Sequence, residues 1–505
     1  MRTDKILILL LVAVGTAWLT TWVDNGVGIG WTFSVLRNWE QFGFFNLHGK
    51  LVHNAGGFQV NTNPEIYAGH RATSLYPAFL LYHLFGATMW GCYLYYALIA
   101  ILVALSIWQL LGGTERAFWL AVIAVLTPGY VRWQTTLDPN LVAVLFGFPF
   151  SAAIIWLLSR PTLKGIHWAV LLFIILIYSS LNWTTVFVHG MLFVTLLLLG
   201  RVPARRLMGY AGLAAAMAGF VILISIASKM TPHAGTSGGL STLLRSYGWG
   251  NEGYGIDLST TTACLRLAAA NVMGLLPALI FLGWQFWRCQ GWRARGGWVF
   301  LLPALVAVVE VLGMRNYFGH HPWMSVHFIL LGIILAAVVW KERALTTAAP
   351  EVDDRARIVF RLAGLAVAFT YGILVLAMGY AHTEQETNLV TLVQEHSARD
   401  TTIVVCRNRD ADLAGIALRL PELFDRHLVV VTNDNDSSLA VVPTPRMILT
   451  AVQPGAGTVA GTSQASNGNP IQRALLEWYS RFIAHRRPGD KLEVGDKYFL
   501  YMPAN

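Results

Sequence analysis

Long apolar runs constrain this chain more than any other feature. Segments near 5–23, 88–112, 118–133, 140–158, 166–181, 182–200, 207–228, 263–286, 297–314, 324–340 and 358–381 carry very little charge, and roughly 17 to 25 residues of helix cross the hydrocarbon of a bilayer. A backbone in lipid has no water to bond, so each run is expected to be a helix that satisfies its own peptide groups. The expected fold class is therefore an α-helical polytopic membrane protein with about eleven transmembrane helices. Composition agrees: 12% of the 505 residues are charged and 55% are hydrophobic, whereas about a quarter of a soluble protein is charged. The segment 74–86, "SLYPAFLLYHLFG", is short and contains Pro77, and it reads as an interfacial piece, with a twelfth crossing as the alternative. Arg2 and Lys5 precede the first apolar core, but no A-x-A-like cleavage site closes it, so residues 1–20 read as an uncleaved anchor.

The basic residues then fix an orientation. With a cytoplasmic N-terminus, alternate loops carry Arg116, then Arg160 and Lys164, then Arg201, Arg205 and Arg206, then Arg288, Arg293 and Arg295, then Lys341, Arg343, Arg355 and Arg357. Every short basic loop falls on one side, as the positive-inside bias requires. The formal charge of +9 thus reflects topology and calls for no nucleic-acid partner. Cys92, Cys264, Cys289 and Cys406 show no CxxC spacing, which argues against a disulfide framework or a cysteine metal cluster.

The titratable residues that are not basic anchors collect on the opposite side. The first outer loop, 24–73, contains Asp24 in "WVDNG", Glu40 in "RNWEQFGF" and His70-Arg71 in "YAGHRATSLYP"; the next outer turn contains Asp138 in "TTLDPN"; a later one, "RNYFGHHPW", contains Arg315, His320 and His321. Asn25-Gly26 behind Asp24 makes a tight turn that would fix the carboxylate. Trp31, Val35, Leu36, Trp39 and Phe42 recur at helical spacing and predict an amphipathic helix on the membrane surface, where Arg37 and Glu40 form a solvated pair three residues apart. Glu310 closes the ninth apolar run and stands near Arg315 as a possible partner, while His189 reads as a satisfied core histidine. The outer loop 229–262 is rich in Gly, Ser and Thr and reads as a lid or a connector.

Residues 382–505 change character. "TTIVVC" and "HLVVVT" have strand length and β-branched content, "DADLAGIALRL" and "PIQRALLEWYSRFIAHR" have helical spacing, and "KYFLYMP" resembles a final strand. A small extracytoplasmic α/β domain is expected there, following a membrane domain over 1–381. It has no GxGxxG or P-loop, so no nucleotide cofactor is expected.

In layout over the whole chain, and in the five motifs quoted above, the sequence resembles the GT-C superfamily of integral-membrane glycosyltransferases. Bacterial proteins of this kind often read YxHHPP where this chain has Gly69-His70-Arg71-Ala72, so the second His and the Pro pair are absent. The resemblance implies transfer of a sugar from a polyprenyl-phosphate donor to a hydroxyl of a glycan, glycolipid or protein acceptor, on the outer side of a bacterial inner membrane. It implies a carboxylate base, for which Asp24 stands first, with Asp138 as a second functional acid and Glu40 more structural than catalytic. Arg and His offer donors to phosphate oxygens, so His70, Arg71, Arg315, His320 and His321 would hold the donor phosphate. A divalent ion, Mg or Mn, held by Asp24, Asp138, His320 or His321 is an open possibility. The rival classes are a lipid-linked glycan transporter or flippase, and an O-antigen-type polymerase or ligase. No internal repeat supports the first, and the position of the main loop, first and not late, speaks against the second.

Overall fold

The computed structural model describes residues 3–20, 29–52, 72–87, 89–133, 139–182, 184–229, 260–288, 297–320, 322–344, 402–406, 427–431, 446–450 and 499–501. In chain order the helices are α1 (Thr3–Thr20), α2 (Ile29–Phe42), a 3-10 turn (Ala72–Leu75), α3 (Tyr76–Leu84), α4 (Met89–Leu110), α5 (Glu115–Val125), α6 (Pro128–Trp133) and α7 (Pro139–Leu158). They continue with α8 (Gly165–Leu181), α9 (Thr185–Leu199), α10 (Ala204–Lys229), α11 (Thr260–Arg288), a 3-10 turn (Gly297–Leu301), α12 (Leu302–Gly313), α13 (Arg315–His320) and α14 (Pro322–Ala344). Among the described residues, four stretches are long and apolar enough to cross a membrane: Trp90–Leu110, Pro139–Leu158, Thr261–Ile280 and Met324–Glu342. Gly165–Leu181, Thr185–Leu199 and Val299–Gly313 are shorter apolar helices.

Two of the expected spans are not continuous helices. The run 118–133 divides into α5 and α6, because Pro128 has no N–H to donate and the Thr127 hydroxyl bonds the Ala124 carbonyl instead. The run 297–314 begins as a 3-10 turn and becomes α-helical at Leu302, where Pro303 occupies the first turn. The segment 74–86 forms α3, nine residues long. At ~1.5 Å per residue that helix cannot span a bilayer, which agrees with an interfacial piece and not with a twelfth crossing.

α14 is the axis of the bundle, packed by α7, α9, α11 and α12, while α4 is packed by α1, α3, α5 and α7. The basic residues gather at one end of this bundle. Lys5 pairs with Glu115, Lys341 donates to the Leu111 carbonyl, Arg201 pairs with Glu342, and Arg206 donates to the Leu158 and Pro161 carbonyls. These contacts join the start of α1 to that of α5, and the ends of α4, α7, α9 and α14 to the turns beside them. Among the described residues, Lys5, Arg201, Arg206 and Lys341 thus lie at one end of the bundle, while the loops of Arg293, Arg295, Arg355 and Arg357 fall outside the described residues.

Among the described residues, four strands follow residue 401: β1 (Thr402–Cys406), β2 (His427–Val431), β3 (Arg446–Thr450) and β4 (Phe499–Tyr501). They form one sheet in the order β2-β1-β3-β4, with β1 parallel to both neighbours and β4 antiparallel to β3. Parallel neighbours require a crossover connection, usually a helix. "DADLAGIALRL" falls between β1 and β2 as such a connection would, although it lies outside the described residues.

Candidate functional site

The end of the bundle opposite the basic one holds the candidate site. It is built on a close helix crossing. A Cβ on Gly129 of α6 would come within 2.5 Å of Val326 Cγ1 and 2.8 Å of Gly274 Cα, so α6 meets α11 almost backbone to backbone, with the Val326 side chain of α14 packed against the crossing. Glycine at both positions allows that approach, and no larger residue would fit without moving a helix. Above the crossing, Asn271 of α11 donates to Ser325 Oγ of α14 at 3.0 Å, and the Tyr130 ring lies 5.1 Å from that of His327.

The short helix α13 packs across α11 and α14 and carries Arg315. The Nε of Arg315 is buried and has no hydrogen-bond partner among the described residues. Glu310 and Arg315 do not pair: neither side chain makes an ion pair among the described residues, in keeping with a polar helix-end position for Glu310. α11 contributes Arg266, only 4% exposed, inside an otherwise apolar helix. A buried guanidinium in a membrane helix is costly and marks a functional position by default. The sequence carried this signal, an isolated charge within the run 263–286, and charge sorting by loop passed over it.

The described part of the first loop forms a clasp. Asn38 of α2 donates to the Val52 carbonyl at 2.9 Å and Trp39 Nε1 to the Lys50 carbonyl at 2.7 Å, drawing residues 43–52 back over the helix. Trp39, Phe44, Tyr76 and Phe79 close it with ring centroids 5.1 to 5.8 Å apart. Burial pushes the Tyr76 phenol above its usual range, so it remains a donor toward the Gly49 carbonyl. α2 differs from the expected surface helix: besides Val35, Leu36 and Trp39, it buries Thr32, Ser34 and Asn38. It is packed on several sides because the 43–52 turn covers its polar face. Glu40 pairs with His83 of α3 at 2.8 Å and not with Arg37. The His83 side chain is 59% exposed and that of Glu40 30%, and the pair ties α2 to α3.

Asp24, His70, Arg71, Asp138, His321 and the side chain of His320 lie outside the described residues. The described residues beside two of them converge. Thr73, two positions from Arg71, donates to the Ser180 carbonyl at 2.6 Å, and Asn140, two positions from Asp138, hydrogen-bonds Asn182. Both anchors meet the C-terminal end of α8. Among the described residues no group of three His, Cys, Asp or Glu side chains could hold a metal ion.

No protein-family model matches the chain, and no curated protein matches it in sequence. Solved structures do match. ArnT from Cupriavidus metallidurans bound to undecaprenyl phosphate superposes with a TM-score of 0.56 at 12% identity, over 89% of this chain and 93% of that one. The apo state of the same protein gives 0.53 over the same shares. The chain shares the fold of this protein. At this identity the likeness concerns the course of the helices, which the breaks at Pro128 and around Met314 help to define.

Proposed function

We propose that this GT-C-fold chain is a membrane glycosyltransferase that moves a sugar from a polyprenyl-phosphate donor to an acceptor hydroxyl. The observation that carries the reading is the conjunction of a GT-C fold with a buried guanidinium nitrogen, Arg315 Nε, left without a partner at the end where the flanks of Arg71 and Asp138 converge. A buried N–H without an acceptor is costly unless a ligand supplies one, and a phosphate oxygen suits an arginine fork. ArnT, which shares the fold, is described with undecaprenyl phosphate bound.

In this reading Asp24 accepts the proton of the acceptor hydroxyl as its oxygen attacks the anomeric carbon. The bond from that carbon to the phosphate oxygen breaks with inversion, and the charge released on the phosphate is met by Arg71, Arg315, His70, His320 and His321. Asp138 orients the acceptor beside Asp24. A divalent ion, Mg or Mn, held by Asp24, Asp138, His320 or His321 would supply further charge to the leaving phosphate. The site faces the outer surface of a bacterial inner membrane, with the N-terminus cytoplasmic and 382–505 a separate extracytoplasmic α/β domain. The test is sugar transfer in membranes holding the protein, with a panel of polyprenyl-phosphate hexoses and pentoses, with and without a chelator. Release of polyprenyl phosphate together with a glycosylated acceptor supports the reading. Flux of intact donor across vesicles without transfer would point to a flippase instead.

A further inference from the structure

The basic end of the bundle contains a pair of hydrogen-bond donors that face each other. The backbone N–H of Lys164 donates to His167 Nδ1 at 2.9 Å, so the hydrogen of that imidazole resides on Nε2. Arg160 Nη1 stands 3.0 Å from that same Nε2, and a guanidinium nitrogen only donates. Two N–H groups thus point at one another, and no acceptor among the described residues answers either. An anionic oxygen set to one side of the pair, within hydrogen-bond distance of both nitrogens, would accept from both once Arg160 turns toward it, and would remove the conflict.

The surroundings specify what carries that oxygen. The Arg160 guanidinium lies over the Trp156 ring, 3.7 Å from its centroid, which fixes its plane. Arg206 is fully occupied in holding the start of α10 to the turn after α7 through the Leu158 and Pro161 carbonyls, and this places the exposed Arg205 beside that turn. Lys164, also exposed, adds a further cation. Residues 139–251 contain no Asp or Glu at all, so the segment that carries this cluster supplies no counter-charge of its own. Apolar side chains stand exposed around it: Trp156 at 53%, Ile166 at 65% and Met208 at 65%. Cations above apolar side chains that face lipid match a molecule with a phosphate head and acyl chains.

We infer that Arg160, His167, Lys164 and Arg205 form a binding site for the phosphate of an anionic phospholipid, seated between the turn after α7 and the starts of α8 and α10. It stands at the opposite end of the bundle from the proposed sugar-transfer site and does not depend on that reading. The lipid bridges the donor pair through its phosphate and lays its chains along Ile166 and Met208.

The test is native mass spectrometry of the full-length protein, delipidated in neutral detergent, with phosphatidylglycerol, phosphatidylcholine or inorganic phosphate added. Phosphatidylglycerol is expected to bind about tenfold or more tightly than phosphatidylcholine. Arg160→Gln and Arg205→Gln should each weaken it about fivefold, the effect of one interfacial cation. Arg205→Gln alters an exposed side chain without a hydrogen bond among the described residues, so its fold is safe. Arg201→Gln, which removes an equal charge from the Glu342 pair at the same end, should leave the affinity unchanged. Equal affinity for the two lipids, equal weakening by Arg201→Gln, or binding of inorganic phosphate with no preference for phosphatidylglycerol would each overturn the proposal.

Discussion

Single residues separate structural from functional polarity in this bundle. His189, buried in α9, has Ser179 Oγ 3.0 Å from Nε2 and Tyr210 OH 2.9 Å from Nδ1, so both ring nitrogens are satisfied. Replacing it by Leu would strand those hydroxyls, and His189→Leu is expected to lower stability by about 1–2 kcal/mol, read as a lower midpoint in thermal unfolding in detergent. Arg315 presents the contrary case, with a buried nitrogen and no acceptor for it among the described residues. Arg315→Gln should cut kcat/KM for transfer by about a hundredfold, the usual cost of one donor aimed at developing charge, while the unfolding midpoint stays near the parent value. Glu40, tied to His83 across an exposed pair, should tolerate Gln: such pairs contribute about 0–1 kcal/mol, and transfer is expected to fall less than about threefold. His189 was legible as a core histidine from its place inside an apolar run. Its partners were not, because Tyr210 lies on another helix and only packing brings it near.

At the level of elements, the sequence showed apolar length and missed continuity. The run 118–133 looks like one helix by hydropathy, yet Pro128 and the Thr127 hydroxyl end α5 and start α6. That break puts Gly129 against Gly274 of α11 and Val326 of α14. Gly129→Val is expected to force this crossing apart, at about 1–3 kcal/mol for an overpacked contact, and to lower both the unfolding midpoint and transfer activity; an unchanged midpoint would mean that the helices are free to move. The clasp over α2 was invisible to periodicity, since Asn38 and Trp39 bond carbonyls of a turn that has no regular pattern. The strands at 402–406 and 427–431 were legible because β-branched runs of strand length stand out against a polar background.

For the whole molecule, the two ends of the bundle do different work. One collects Lys5, Arg160, Lys164, Arg201, Arg206 and Lys341, and its hydrogen bonds and ion pairs tie helix ends together. The gathering of these described cations was legible from the alternation of charge between loops, because a bilayer sorts loops before any side chain packs. The other end was legible as a list of acids, histidines and arginines, but their grouping was not: Thr73 and Asn140 reach the same end of α8 from separate parts of the chain. The buried Arg266 was passed over because it lies within an apolar run and outside every loop. The central claim is that a carboxylate beside the first membrane helix drives sugar transfer. Its most direct test is the transfer rate of purified Asp24→Asn against the parent protein, with a donor that the parent uses. Loss of at least about a hundredfold, as removal of a general base produces, with an unchanged unfolding midpoint is the predicted result; an Asp24→Asn protein that transfers sugar at the parent rate would contradict it.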